Sequence, residues 1–350
     1  MLGYLRFMLA LMVLLTHLGV FPFGRFVGVS AMVVFMMLSG YSMAHKLRNR
    51  GSVGFRGVVR FYRDRILRIY PQYLVIFVFY LLFITLVDCI SLRAAPLQLF
   101  SNIIVLPVNH YFFIDVQAID VDKSCFDVPL SVLFPHRLII PLSWAIALIV
   151  QFYIVAPFLL VSKRRMVIAS ALSMVVFLIS FLGYLNNEAF GYRLLPGTLF
   201  IFLAGSLLYS LKNKSLTRTK SSALVFLVFA WVVSAVLIAC LWAYPRLDVR
   251  YSADVLIGFF FGLPLLHYLG RFNVKSRMGS LLGRLSYGVL LSHFMVIWFF
   301  EMFFRVWIPS AAGDVPKLVF VLSASMILSY IAIKISQPLE VLRHSLNANK

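Results

Sequence analysis

The chain predicts an all-α polytopic membrane protein with ten transmembrane helices and both termini in the cytoplasm. Three observations lead there. Of its 350 residues 62% are hydrophobic and 13% charged, which excludes a soluble globular protein of ordinary composition. Apolar segments of membrane length recur along the whole sequence. Basic residues gather in alternate gaps between those segments.

The segments run approximately over 2–21, 26–45, 66–88, 138–161, 166–185, 193–211, 221–243, 250–270, 281–304 and 315–337. The first is too long for a cleaved signal, carries an internal histidine and lacks a small-residue cleavage site, so it reads as the first span. With the N-terminus inside, about 23 of the 32 Lys and Arg fall on the inner side and roughly 9 outside. Every interior cytoplasmic loop is then basic, an alternation that an odd helix count would break. The net charge of +20 is therefore topology rather than nucleic-acid recognition. Residues 89–137 form the long outward loop. Its apolar piece Leu97–Ile114, interrupted by Pro107, Asn109 and His110, reads as re-entrant or interfacial. No composition shift marks a second domain, so residues 1–350 are one membrane domain. No internal repeat supports an inverted-repeat transporter.

Polar residues inside the spans are the candidate functional groups, because an ionisable side chain at membrane depth is costly. Arg6 and His17 lie eleven residues apart in the first segment. At about 100° per residue they share a helix face, roughly 16 Å apart along the axis. Ser39, Gly40 and Tyr41 interrupt the second segment, either as a small-residue packing face against the first helix or as a place where a ligand meets backbone. The basic stretch Lys46–Arg68 closes on Arg65-Ile66-Leu67-Arg68-Ile69-Tyr70-Pro71. As i and i+3 neighbours, Arg65 and Arg68 can present two guanidinium forks to phosphate oxygens, or simply anchor the span to anionic lipid.

In the fourth segment Trp144 reads as an interfacial aromatic. Gln151, before Phe152 and Tyr153, needs a hydrogen-bond partner at membrane depth. Arg193 opens the sixth segment, where it can snorkel or face an anionic group. His293 falls near the middle of the ninth and is expected to face protein. Asp115, Asp120, Asp122 and Asp127 cluster in the outer loop without an EF-hand spacing and read as a solvated loop, with no metal site expected. Cys89, Cys125 and Cys240 fall on the outer side, where a Cys89–Cys125 bridge could form in an oxidising compartment.

Taken in order, these residues resemble the acyltransferase-3 family of membrane acyltransferases. The resemblance rests on Arg6-x10-His17, Phe35-Met36-Met37-Leu38-Ser39-Gly40-Tyr41, Arg65-x2-Arg68-Ile69-Tyr70-Pro71, Trp144 with Gln151-Phe152-Tyr153, Arg193 with Phe202-Leu203-Ala204-Gly205, and Ser286-Tyr287 with His293. It covers nearly the whole chain. It implies transfer of an acyl group, commonly acetyl, from cytoplasmic acyl-CoA to a carbohydrate hydroxyl across a bacterial cytoplasmic membrane. Acceptors of that kind include lipopolysaccharide O-antigen and exopolysaccharide, some of them lipid-linked. On this resemblance Arg6 and His17 are catalytic. Arg65 and Arg68, with Ser39 and Tyr41, bind the donor; Trp144, Gln151, Tyr153, Arg193 and His293 are candidates for the acceptor.

The sequence departs from the pattern twice. Ile149 stands where a glutamate commonly precedes Gln-Phe-Tyr, and Leu290 where a tyrosine precedes the ninth-segment histidine. A carboxylate role in the fourth segment is thus unavailable, and the chain carries no fused soluble esterase-like domain. The expected partners are acyl-CoA, a carbohydrate and the bilayer, with no nucleic acid. A neutral imidazole suits His17 to act as general base on a sugar hydroxyl. A different class, a transporter or flippase for a lipid-linked glycan or anionic metabolite, would also use a polar track through the helices.

Overall fold

The computed structural model describes residues 1–20, 25–48, 54–86, 96–113, 138–212, 232, 250–270, 276–304 and 314–348. Among these residues the regular structure is helical: α1 Leu2–His17, α2 Arg25–Arg48, α3 Phe55–Leu86, α4 Pro96–Ile104, α5 Ser143–Leu159, α6 Lys163–Phe181, α7 Leu195–Lys212, α8 Arg250–Gly270, α9 Arg277–Phe303 and α10 Val315–Ala348. Among the described residues seven helices are long and apolar enough to cross a membrane, and α1 and α5 are shorter apolar helices. Nine of the ten segments expected from sequence thus coincide with a described helix. The segment at 221–243 lies outside the described residues except for Val232, as do Cys89, Cys125, Cys240 and the acidic cluster Asp115–Asp127.

Side-chain polarity decides which faces turn inward. Leu74, Val78 and Leu82 of α3 and Val319, Ile327 and Ile335 of α10 are exposed large hydrophobics, a surface suited to lipid rather than water. The interior is drawn together by small residues. A Cβ at Gly40 would lie 1.8 Å from the Phe202 carbonyl oxygen, and one at Gly205 would lie 1.9 Å from that of Met37. Helices α2 and α7 therefore meet backbone to backbone, the close approach that small residues permit in membranes. The packing partner of Gly40 is α7, not the first helix as the sequence reading had it.

Helix α1 lies between α2 and α9, α10 packs on α9 and α3, and α5 reaches α2, α3 and α7, which closes a ring. Helices α1 and α9 start at the same end of the bundle: the Tyr4 hydroxyl is 3.1 Å from the Ser276 hydroxyl. The apolar piece of the long loop forms no further span. It makes the nine-residue α4 and a tight turn at Val108–Phe112, and at about 1.5 Å per residue α4 is too short to cross. It is pinned instead: Tyr73 Oη donates to the Asn102 carbonyl at 2.6 Å, and Asn102 Oδ1 accepts from the Ile139 amide at 3.1 Å.

Two helices overhang. Helix α3 has 32 residues and α10 has 34, whereas about 20 suffice to span hydrocarbon. The start of α3 and the end of α10 project together, with Arg63 Nη2 donating to the Leu346 carbonyl at 3.2 Å.

Candidate active site

A cavity of about 1020 Å³ occupies the centre of the ring and is lined by residues of eight helices. Its mouth lies at the end of the bundle that holds the N-terminus, among Arg277, Arg284, Glu340, Arg343 and His344. Halfway along stand Arg6, Ser39, Arg68, Gln72, Tyr153 and Tyr287. The deep end is apolar, formed by Met32, Leu142, Ala145, Ile146, Leu290 and Leu291. From Arg277 to Leu291 along α9 is about 21 Å of helix. Ile149 and Leu290, the two departures from the family pattern, both line the wall. Among the described lining residues five are arginines and one, Glu340, is a carboxylate. Such an excess attracts a polyanion.

The sequence reading placed Arg65 and Arg68 as a pair of forks; the structure separates their duties. Arg68 is exposed to the cavity and within electrostatic reach of Arg6 and Arg343. Arg65 is 3% exposed, is not among the lining residues and donates directly to the Asp64 carboxylate. Its guanidinium lies 5.7 Å from the Tyr153 ring centre and 5.8 Å from that of Phe61. Asp64, itself 4% exposed, also meets Lys46 at 3.2 Å and Arg343 at 3.7 Å. Nothing in the basic stretch of the sequence marked this lone aspartate as the hub of three cations.

Arg6 lines the cavity and donates from Nη2 to Ser42 Oγ at 2.9 Å. Ser39 and Tyr41 line it too, with Tyr41 Oη donating to the Gly270 carbonyl at 3.4 Å. Helix α2 thus does both things its sequence allowed: Gly40 packs while its two neighbours face the cavity.

The far end holds a histidine pair. His17, at the last turn of α1, is exposed, and its ring centre lies 5.4 Å from that of His293 and 4.4 Å from that of Phe294. His293 is 0% exposed, and its Nδ1 donates to the Val289 carbonyl at 3.2 Å. That bond leaves Nε2 as the free nitrogen of the neutral ring, and Nε2 has no hydrogen-bond partner. Leu291, at the cavity's deep end, precedes His293 by two residues. Tyr80 of α3, unnoticed in the sequence, brackets the same turn. Its hydroxyl donates to the Leu291 carbonyl at 3.0 Å and accepts from the Met295 amide at 3.1 Å, two groups that an unbroken α-helix bonds to each other. An inserted side chain of this kind opens a helix locally.

The remaining candidates form a separate, internally satisfied cluster. Arg193 lies 3.8 Å above the Phe112 ring centre and 4.6 Å from that of Trp144, and its Nε donates to Glu188 at 2.6 Å. Such stacking with a carboxylate neutralises a guanidinium in place. Gln151 finds its partner in Asn109: each amide donates to the other, at 2.9 and 3.2 Å, and Gln151 also reaches the Leu106 carbonyl at 2.9 Å. The pair ties α5 to the turn after α4, and a further bond from Asn109 to the Arg193 carbonyl at 3.0 Å extends it. His17 lies within electrostatic reach of Arg193.

Comparison with known proteins agrees with this architecture. The chain matches the acyltransferase domain family Acyl_transf_3 over residues 2–334. It is similar to an uncharacterized protein of Aquifex aeolicus (strain VF5), 29% identical over 165 residues, which span 46% of this chain and 72% of that protein. No solved structure matches it. A family match across nearly the whole chain settles the membership: the chain belongs to the acyltransferase-3 family of membrane acyltransferases.

Proposed function

We propose that the protein moves an acyl group, acetyl in the simplest case, from a cytoplasmic acyl-CoA to a hydroxyl of an extracytoplasmic carbohydrate such as lipopolysaccharide O-antigen or exopolysaccharide, in a bacterial cytoplasmic membrane. The observation that carries this reading is the cavity: arginines surround its mouth and middle, and it ends within one helical turn of the histidine pair. A polyphosphate head with a long thin thioester arm has that shape and that charge distribution.

In this reading Arg68 and Arg6 hold donor phosphates by charge-assisted hydrogen bonds, and Ser39 and Tyr41 flank the arm. Arg65 keeps Asp64 engaged, so that this carboxylate does not compete for the donor's cations. His17 takes the proton of the attacking hydroxyl as its oxygen bonds to the thioester carbonyl carbon. His17 then returns that proton to the sulfur as the carbon–sulfur bond breaks. His293 fixes the plane of His17 by stacking, and the exposure of His17 at the far end admits the acceptor. Trp144 and Arg193 belong to the separate satisfied cluster, from which Arg193 lies within electrostatic reach of His17.

Purified protein in proteoliposomes, with acetyl-CoA on one face and a polysaccharide acceptor on the other, tests the reaction. Acetyl ester on the acceptor supports it; no transfer in either orientation contradicts it. The orientation is tested by cysteine labelling in a variant lacking the three native cysteines. A cysteine at position 214 is expected to react only from the cytoplasmic side.

A further inference from the structure

We propose that Gln72 and the Leu67 carbonyl together dock a secondary amide, and that this amide belongs to the pantetheine arm of the acyl donor. The assignment to the donor rests on the function proposed above; the amide site itself does not.

Gln72 follows Arg68 by one turn of α3 and lines the cavity with it. It is 9% exposed, and its Nε2 has no hydrogen-bond partner among the described residues. The hydroxyls nearby are committed to backbone. Ser286 Oγ donates to the Gly283 carbonyl at 3.0 Å, Ser329 Oγ to that of Leu285 at 2.9 Å and Tyr287 Oη to that of Ile69 at 3.4 Å. The carboxamide fits because position 288 of α9 is glycine: a Cβ there would lie 2.7 Å from Nε2. A methionine would fill the same notch without burying an unpaired donor. Packing alone therefore gives no reason for an amide at this position, whereas a ligand does.

Pro71 adds an acceptor. It has no amide hydrogen, so the Leu67 carbonyl lacks the donor that an unbroken helix supplies four residues on. Leu67 and Pro71 both line the cavity. A trans secondary amide points its N–H and C=O in opposite directions. It needs an acceptor and a donor set apart, as the Leu67 carbonyl and Gln72 are along this stretch of α3. Phosphate offers acceptors only, and an alkyl chain offers neither group.

Position names the source of the amide. Arg68 lies about 6 Å of helix before Gln72 on α3, and Gly288 lies about 7.5 Å of helix before His293 on α9. In a pantetheine arm the secondary amides lie between the phosphates and the thioester sulfur. Gln72 stands in that place, between Arg68 and the histidine pair.

The test uses the full-length protein in detergent, with S-acetylpantetheine and an oligo(ethylene glycol) S-acetyl thioester that has no amide. Gln72→Met keeps the bulk and removes the donor. It is expected to weaken S-acetylpantetheine binding by roughly 5- to 50-fold, with acetyl-CoA binding weakened in step. Binding of adenosine 3′,5′-bisphosphate, which has no arm, and turnover of the amide-free thioester should stay as in wild type. Gln72→Asn, shorter by one methylene, should show an intermediate loss and serves if the methionine variant does not fold. Equal S-acetylpantetheine affinity in wild type and both variants overturns the proposal, and so does an equal loss of bisphosphate and arm, the signature of a packing role. N-acetylglucosamine that binds wild type but not Gln72→Met, with S-acetylpantetheine binding unchanged, would give the site to an acceptor sugar and overturn the donor assignment. Wild type that binds S-acetylpantetheine through Gln72 yet transfers no acyl group would uphold this site while removing the proposed reaction. Acyl transfer with donor affinity independent of Gln72 would do the reverse.

Discussion

The two ends of the bundle handle arginine in opposite ways. Beside the far end, Arg193 is spent within the protein: it lies over Phe112 and Trp144 and pairs with Glu188. In the half that opens at the near end, Arg68 faces open cavity with other arginines around it and Glu340 as the one carboxylate among the described lining residues. In the sequence both sit at the edge of an apolar segment, Arg68 at the mouth of the third and Arg193 at the opening of the sixth, and both belong to motifs. The comparison teaches that burial of a charge marks function only where the protein does not neutralise it. A paired and stacked guanidinium sets a structure, whereas a surplus one awaits a ligand.

The largest effect that could break this account lies at His17. His17→Ala and His17→Asn should each lower acyl transfer per folded protein by about 10²–10⁴-fold, the range for loss of a general base, while donor binding persists. An active asparagine variant would reduce His17 to a hydrogen-bonding role worth about 0.6–2 kcal/mol.

Next comes the contrast within one motif. Arg65→Ala removes the short partner of a buried carboxylate and should cost about 3–5 kcal/mol of stability, read as a lowered melting temperature and yield. Arg68→Ala should leave thermal stability near wild type. Equal destabilisation by the two would erase the distinction drawn here.

Tyr80→Phe gives a smaller effect. It removes the hydroxyl between Leu291 and Met295 beside His293, a change of about 1–3 kcal/mol for the groups left without that partner. The account predicts a fall in kcat with donor affinity unchanged, because the histidine pair moves and the arginines do not. Gln151→Leu sits lowest, with a stability loss of about 1–2 kcal/mol from the broken amide pair and an unchanged KM for the donor. A shifted KM there would move Gln151 from scaffold to site.

Much of this was legible in the sequence because membrane physics leaves few options. Apolar runs of spanning length and polar exceptions within them located the described helices and placed Arg6, Ser39, Tyr41, Arg68 and Tyr153, all of which line the cavity. What the sequence hid was pairing across distance. Gln151 announced its need for a partner, but Asn109 lies 42 positions away. Asp64 drew no attention within the basic stretch, because its hub geometry depends on α10, nearly 280 residues on. The side-by-side forks expected of Arg65 and Arg68 failed for the same reason: an i, i+3 spacing fixes a helix face, not what the neighbouring carboxylate claims. Tyr80 gave no signal because an aromatic in an apolar helix is the commonest of residues there.

The central claim is that the arginine-lined cavity holds the acyl donor, and equilibrium binding of labelled acetyl-CoA to purified protein tests it most directly. Wild type should bind saturably, and Arg68→Ala should bind about 10- to 100-fold more weakly, the loss of a charge-assisted fork. Identical binding by the two proteins, or no binding by wild type, would contradict it.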